Sequence, residues 1–374
     1  MAEWEVKLLR DVIELRRGFD LPHRERRPGP FPVLTAGTTA GWHAEGPVKG
    51  PGFVVGRATN LGQPAWSDTD YWPLNTTLYA ADFKGNLPRW AFHLFESIDL
   101  SGFDSGSVQP MLNRNYIAQI PVRVPPIREQ RAIAEVLGAL DDKIAANVRV
   151  AKTSDLLARA EFDLAVLEAQ MGPATFADVA AVHGGGTPSS KVPEYWGGGI
   201  PWASPTDITG LQGPYLFNTA RSITDAGLSK CASSLYPTGT ILMTSRATIG
   251  AFALSEVPVA VNQGFIVVVP RDHASRYWLF HEMRSRVEEF LTHANGATFL
   301  ELSRGNFRRL PVRIAEPAVM EQFAHRAHAL HCRASAALRE NARLTATRDA
   351  LLPALMSGTL RVRDAIDLVE ETAS

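Results

Sequence analysis

Arg57 and Arg246 each follow an apolar run, and each opens the same three residues, Arg-Ala-Thr. A guanidinium at a strand-to-turn position can aim its planar fork at a phosphate or at the two acceptors on the major-groove edge of guanine. Thr59, Asn60 and Thr248 share those turns and add hydroxyl and amide groups of the kind that meet bases or phosphates. The other reading is that both arginines make structural hydrogen bonds. Similarity between the two segments favours it, since residues that read different bases should differ. Two polar loops carry further donors, Arg114 between Asn113 and Asn115, and Arg304 between Ser303 and Asn306. Each loop precedes a long helix, so nucleic-acid contact and helix capping both stay open.

His183-Gly-Gly-Gly begins a third polar stretch that ends in Thr187, Ser189, Ser190 and Lys191. His-Gly-Gly-Gly can form the oxyanion hole of an esterase, but that chemistry needs a serine in a GxSxG elbow, and the chain has none. The stretch reads as a flexible glycine loop whose hydroxyls and Lys191 suit phosphate oxygens. His325, His328 and His331 recur every third residue, and a partly exposed helix face accounts for them better than a metal site. Trp42, Trp66, Tyr71, Trp72, Tyr195, Trp196 and Trp202 lie among Gly, Pro and Asp, where aromatics anchor loops or stack on bases. A Walker A loop, a dinucleotide-binding glycine loop and an Asn-Pro-Pro-Tyr methyltransferase signature are all absent from the sequence. No catalytic residue, metal ligand or cofactor site is assigned.

A net charge of −1 argues against a uniformly cationic surface while leaving room for local basic faces. Of 38 basic residues 31 are Arg, which suits bidentate recognition but is equally what a GC-rich genome produces. Two cysteines, Cys231 and Cys332, are too few and too far apart for a disulfide framework. The apolar runs are short and the N-terminus begins with acids, so a cytoplasmic protein without a membrane span is expected.

These groups need a scaffold, and 374 residues exceed what one core usually covers. The chain repeats itself. Arg57 aligns with Arg246 at an offset of 189, and Trp90, Phe92 and His93 align with Trp278, Phe280 and His281 at 188. Gly106 pairs with Gly296, Tyr116 with Phe307, Pro121 with Pro311 at 190, and Glu129-Gln130 with Glu321-Gln322 at 192. Matches that keep their order imply two copies of a globular domain followed by a helix. After Pro125-Pro126, Ile133, Leu137, Leu140, Ile144 and Val148 form a helical stripe, expected to continue through Leu156, Leu157, Ala160, Leu164 and Leu167 to a stop at Met171-Gly172-Pro173. From Pro317, Val319, Phe323, Ala327, Leu330, Ala334, Ala337, Leu344 and Leu351 make a second stripe, interrupted at Asn341 and Arg348 and ending at Gly358 before a strand-like tail. Trp4–Leu15 reads as a short amphipathic segment, and the expected strands include Gly52–Val55, Leu74–Tyr79, Ile117–Val124, Thr240–Met243, Ala251–Leu254 and Phe265–Val269. The expected fold is α+β, with two globular domains related by a pseudo-twofold and separated by an antiparallel pair of long coiled-coil helices. Its expected parts are residues 1–124, 125–171, 172–315 and 316–374.

"IPVRVPPIREQRAIAEVLGALDDKI", its degenerate copy "LPVRIAEPAVMEQFAHRAHAL" and the closing "LLPALMSGTLRV" resemble the specificity subunit of type I restriction-modification enzymes. The resemblance implies two target-recognition domains, each reading one part of a split site in double-stranded DNA. It also implies a non-catalytic chain whose helices set the spacing and dock two methyltransferase subunits, with restriction and translocase subunits joining through the complex. S-adenosylmethionine, ATP and Mg would then belong to the partners. Glu129, Gln130, Asp141, Asp142, Lys143, Glu321 and Gln322 are the implied docking residues. The second copy lacks the Pro-Pro and Leu-Asp-Asp-Lys-Ile of the first. Near-neutral charge keeps a rival reading, a duplicated protein-interaction scaffold that does not read DNA sequence.

Overall fold

The computed structural model describes residues 4–365 apart from 59, 101, 106–110 and 297–299. Thr59, Gly106 and the acidic tail past residue 365 therefore lie outside the described residues. The chain forms two compact units, Met1–Ile144 with Arg343–Ser374, and Ala145–Ala342.

In the first unit, the N-terminal segment is a strand, a one-turn helix and a strand. Glu5–Leu8 pairs with Pro121–Val124, Leu9–Val12 turns, and Glu14–Arg17 joins a four-stranded sheet. That sheet runs 14–17, 77–82, 52–56, 64–67, and a second one runs 38–43, 31–35, 72–73. Leu74 to Thr76 precede the strand expected there, which begins at Thr77, and Ile117 closes a helical turn so that the last strand starts only at Pro121. Helix Pro88–Ser97 buries Trp90 and lays Phe92 and Phe95 on Phe53 of strand 52–56, with ring centroids 5.9 and 5.4 Å away.

The second unit repeats this plan. Gln170–Thr175 pairs with Pro311–Ile314, Phe176–Val179 turns, and Ala180–His183 enters a sheet ordered 180–183, 265–270, 241–244, 252–255, 215–216. The strands expected near 240, 251 and 265 are present at Ile241–Thr244, Phe252–Ser255 and Phe265–Pro270. A three-stranded sheet again stands beside it, in the order 221–223, 196–203, 260–261. The helical stretch that follows is broken at Arg286 into His273–Ser285 and Val287–Thr292. Arg286 there binds buried Glu282, Glu289 and the carbonyl of Pro311.

The two long helices are Ile127–Ala165 and Pro317–Ser357. Pro126 stands just before the first, its carbonyl accepting from the amides of Glu129 and Gln130 at 2.8 and 3.0 Å. The helix ends six residues short of Met171, because Gly172-Pro173 belongs to the strand Gln170–Thr175. Its register shifts between Met171 and Thr175, around a proline that has no amide proton to give a ladder. Gly358 does cap the second helix at φ +74°, but Val362 to Ala365 then form a helical turn with Ala365 buried, not a strand.

Within the second unit the helices run antiparallel. Asn147 Nδ2 donates to Asn341 Oδ1 at 3.0 Å, Arg326 meets Glu161 at 2.8 Å, and Phe162 packs on Phe323. In the first unit Arg348 bonds Asp141. Ile133, Leu137 and Leu140 are buried as expected, but the stripe then continues through Asn147, Ala151, Ser154, Ala158 and Phe162. Leu156, Leu157, Leu164 and Leu167 stay 49 to 79% exposed. The spacing of threes and fours is kept, and the leucines fall outside it.

Of the spaced histidines, His331 is inside, not on a partly exposed face. Its Nδ1 meets the Tyr215 hydroxyl at 2.7 Å and its Nε2 meets His281 Nε2 at 3.0 Å. Burial holds His281 well below the ordinary imidazole value and pushes His331 down to about 4. The unfolded chain therefore binds protons near pH 6.5 that the folded unit refuses, so this contribution is complete above that pH and drains away as pH falls toward 4. Unfolding midpoints should drop between pH 7 and 4.5 more in the native chain than in His331→Gln, a difference on the order of 2 kcal/mol. Equal slopes in thermal melts would show that the pair is not held neutral.

Candidate nucleic-acid interface

In the second unit the central strand Ile241–Thr244 delivers the turn that carries Arg246 and Thr248. The turn is pinned from both sides, Ser245 N to Gly264 O at 2.8 Å and Leu302 N to Ser245 O at 3.0 Å. Ala247 sits at φ +60°, a left-handed conformation that costs a non-glycine residue on the order of 1 kcal/mol. Beneath the turn opens a cleft of about 310 Å³ lined by Thr206, Thr209, Arg246, Thr248, Asn262 and Gln263. Gln263 Oε1 accepts from the Thr187 hydroxyl at 2.6 Å, which ties the glycine loop to the cleft.

The glycines of that loop are packed against the rest of the unit. A side chain on Gly185 would stand 2.1 Å from the Val261 carbonyl, and one on Gly186 would stand 2.6 Å from the Ala232 amide. Gly186 N donates to Val261 O at 3.0 Å, and the hydroxyl of Tyr236 donates to Gly184 O at 2.5 Å. The glycines are thus required by close backbone packing. Arg304 Nη1 lies about 3.2 Å from where a Gly184 side chain would begin, so Thr187, Arg246, Thr248 and Arg304 gather on one face. Ser189 and Lys191 are exposed farther along the loop. Arg246 is engaged with Glu301 at 2.8 Å, but both are more than 40% exposed and such surface pairs hold by roughly 1 kcal/mol or less. A phosphate or base edge can displace Glu301.

In the first unit Arg57 N donates to Thr76 O at 2.9 Å, and Arg57 O accepts from Leu112 N at 2.8 Å. The loop bearing Arg114 thereby runs beside the Arg57 turn. Among the described residues the Arg57 side chain has no hydrogen bond or ion pair. Asn60 is exposed at φ +45°. Arg114 stands on a cleft of about 380 Å³ with Arg10, Lys84 and Asn115. Capping also occurs, though of short helices and not the long ones. Asn113 Oδ1 accepts from Asn115 N at the head of Arg114–Ile117, and Ser303 Oγ accepts from Asn306 N at the head of Arg304–Arg309.

Strand register corrects the alignment of the two turns. Val54 faces Ala65 and Tyr79 in one sheet, and Leu242 faces Ala253 and Val267 in the other, every pair 188 positions apart. The bond from Gly62 N to Gly56 O recurs from Gly250 N to Thr244 O at the same offset. Arg57 therefore corresponds to Ser245, and Arg246 to Ala58. The two arginines are not one shared structural residue.

The residues implied to dock partners divide by exposure. Gln130 is 2% exposed and saturated, accepting from Leu87 N and donating to Asn86 and to the Pro125 carbonyl, so it clamps the helix to its own unit. Glu129 accepts from the Trp4 indole at 3.0 Å. Asp141 is half-buried between Arg89 and Arg348, and burial raises its carboxyl above the usual range. With His93 and Glu96 it offers three ligand atoms within 4.8 Å of one another. Arg348 already bonds both carboxylates at 3.1 Å, which makes the group a neutralised ion-pair cluster. Asp142, Lys143, Glu321 and Gln322 are exposed. Among the aromatics, Trp90 and Trp278 are core, and Tyr71 and Trp202 are buried too. Trp42 is exposed, and Trp66 and Trp196 carry Arg89 and Arg221 on their faces. Asn262 and Gln263, absent from the sequence-derived set, could have been noticed from the Asn-x-Gly turn signal before an apolar strand.

The duplicated α+β unit thus twice places an arginine at a turn held by the same backbone hydrogen bonds. A family model, the type I restriction modification DNA specificity domain, matches residues 1–151 and again residues 171–322, and the chain belongs to this family. The specificity subunit of type I restriction enzyme MjaIX from Methanocaldococcus jannaschii is 35% identical over 149 residues, 39% of this chain and 34% of that protein. That match thus spans about a third of the relative. The EcoR124I/EcoR124II specificity subunit of Escherichia coli is 25% identical over 317 residues, 78% of this chain and 76% of that protein. The crystal structure of the type I S subunit from M. genitalium shares the fold with a TM-score of 0.65, over 94% of this chain and 96% of that one at 14% identity. Among the described residues no helix is long and apolar enough to cross a membrane.

The packing of the glycine loop gives a paired test. Gly185→Ala should lower stability by about 2 kcal/mol or more, because backbone carbonyls on both neighbours cannot retreat. Gly199→Ala, with nothing within 4 Å of the new methyl, should stay within about 0.5 kcal/mol of the native chain in denaturant melts.

Proposed function

We propose that this chain is the DNA-reading, non-catalytic component of a type I restriction-modification complex. Residues 1–124 and 172–315 each read one part of a split site in double-stranded DNA, and the long helices set the distance between the parts. The observation that carries this reading is the repeated unit itself, with arginine-bearing turns on corresponding strands whose exact residues differ between copies. Two readers of different half-sites require that pattern. A binding scaffold indifferent to sequence does not. Two methyltransferase subunits dock on the helices, and restriction and translocase subunits join through them in the cytoplasm. S-adenosylmethionine, ATP and Mg belong to those partners, and this chain supplies no catalytic group.

Spacing is the direct test. Deleting residues 145–151 and the facing 337–343 removes one heptad from each helix and removes Asn147 and Asn341 together. The distance should shrink by about 10 Å, near three base pairs. Methylome sequencing of cells expressing the assembled complex should show the same two half-sites with a shorter unspecified spacer. Altered half-sites with the old spacer would defeat the ruler.

Docking has its own test, supported by the exposed leucines on helix Ile127–Ala165 and its continuation. Leu156→Glu with Leu164→Glu removes apolar surface without touching the buried seam. Capture of the methyltransferase subunit should weaken by roughly 30-fold or more, with unfolding midpoints unchanged. Full capture by this variant would place the partner elsewhere.

A further inference from the structure

Arg221 was singled out by nothing in the sequence, yet its guanidinium is exposed and stacked on a tryptophan. Its Cζ stands 3.5 Å from the ring centroid of Trp196 and 5.6 Å from that of Trp202. The two indoles meet edge to face at 5.1 Å and 88°. Strand pairing explains the arrangement. Arg221 lies directly across from Trp202, on the edge strand Arg221–Ile223 of the three-stranded sheet.

Both indoles also hold the glycine loop. Trp202 Nε1 donates to Gly186 O at 3.1 Å, and Trp196 Nε1 donates to Ser189 O at 3.2 Å. One pair of rings thus holds the loop at Gly186 and Ser189 and also carries Arg221. Among the described residues the Arg221 guanidinium has no hydrogen bond or ion pair, although it is exposed. Its face is spent on tryptophan while its N–H edge is unused. A stacked guanidinium has surrendered its rotamer freedom before any ligand arrives, and its remaining edge is a planar fork. That fork matches the paired O6 and N7 acceptors of guanine.

We propose that Arg221, held on Trp196 and Trp202, is a specificity-determining residue that reads a guanine in the half-site of the second unit. The assignment rests on the DNA-reading function above. The test uses the complete methyltransferase complex and duplexes in which each base pair of that half-site is replaced in turn. In the native complex, one G·C replacement should cost about 10- to 100-fold in affinity. Arg221→Lys and Arg221→Ala should abolish that penalty at the one position and keep the others. Trp196→Leu retains apolar packing but removes the platform, and should blunt the same penalty with the fold intact by circular dichroism.

If Arg221→Ala instead weakens every duplex equally and lowers the salt slope by about one, Arg221 touches phosphate and the assignment is overturned. Penalties unchanged in both Arg221 variants overturn it as well. A native complex that prefers no duplex would overturn the DNA-reading function itself, which separates the two failures.

Discussion

Asn147 and Asn341 meet at 3.0 Å inside the packing of the long helices, both about 95% shielded from solvent. A buried amide pair of this kind adds little net stability, since each side chain gives up water to gain its partner. Its effect is on register. Slide either helix by one turn and two amides are left unsatisfied among alanines and phenylalanines, at a cost of roughly 1–3 kcal/mol each. Leucines tolerate such slippage, and the first helix buries none between Asn147 and Ala158. Asn147, Ala151, Ser154 and Ala158 let the helices approach closely, and the amide pair says where. Arg348 with Asp141 and Glu96 does the same work in the first unit, there with charge in place of bulk.

That choice explains which parts of the architecture were legible in the sequence. The duplication, the two helices and their starts were readable because Pro-Pro, Glu-Gln and the Trp-x-Phe-His segments are discrete landmarks. The course of the first helix after Val148 was not, because its large apolar residues do not mark the seam. Here the seam is made of small and polar residues, and the leucines at 156, 157, 164 and 167 face outward. A frame of threes and fours carried on from Ile133 would have reached Asn147, Ala151, Ser154 and Ala158. The stop at Gly172-Pro173 failed for a different reason. Those residues read locally as a terminator, but the strand they belong to is set by a partner 140 residues away, Pro311–Ile314.

The candidate interface was legible by type and illegible by position. Thr187, Arg246, Thr248 and Arg304 come from three separate stretches, and only the pairing of strands brings them to one face. Arg57 and Arg246 look equivalent as letters, yet the ladders place them one residue out of step. Arg221 has no motif at all. Its role follows from a cross-strand neighbour and an indole several residues away on the same strand, a relation that exists only once the sheet is formed.

The shift between the turns is itself informative about how one fold can read two sequences. Where the copies must pack alike, they agree to the residue. Trp90 and Trp278, His93 and His281, and the ladder from Val54 and Leu242 hold one offset. Beneath that agreement the polar interiors already diverge. Buried Glu282, tied to Arg286 and Arg313, stands where the first unit has Leu94. At the turns the backbone hydrogen bonds are the same and the side chains are displaced by one. A one-residue displacement at a pinned turn moves a guanidinium to a different point on the surface while leaving the strands beneath it untouched. The scaffold can therefore stay fixed by packing while its contacts vary, and that separation is what the proposed reading of two different half-sites needs.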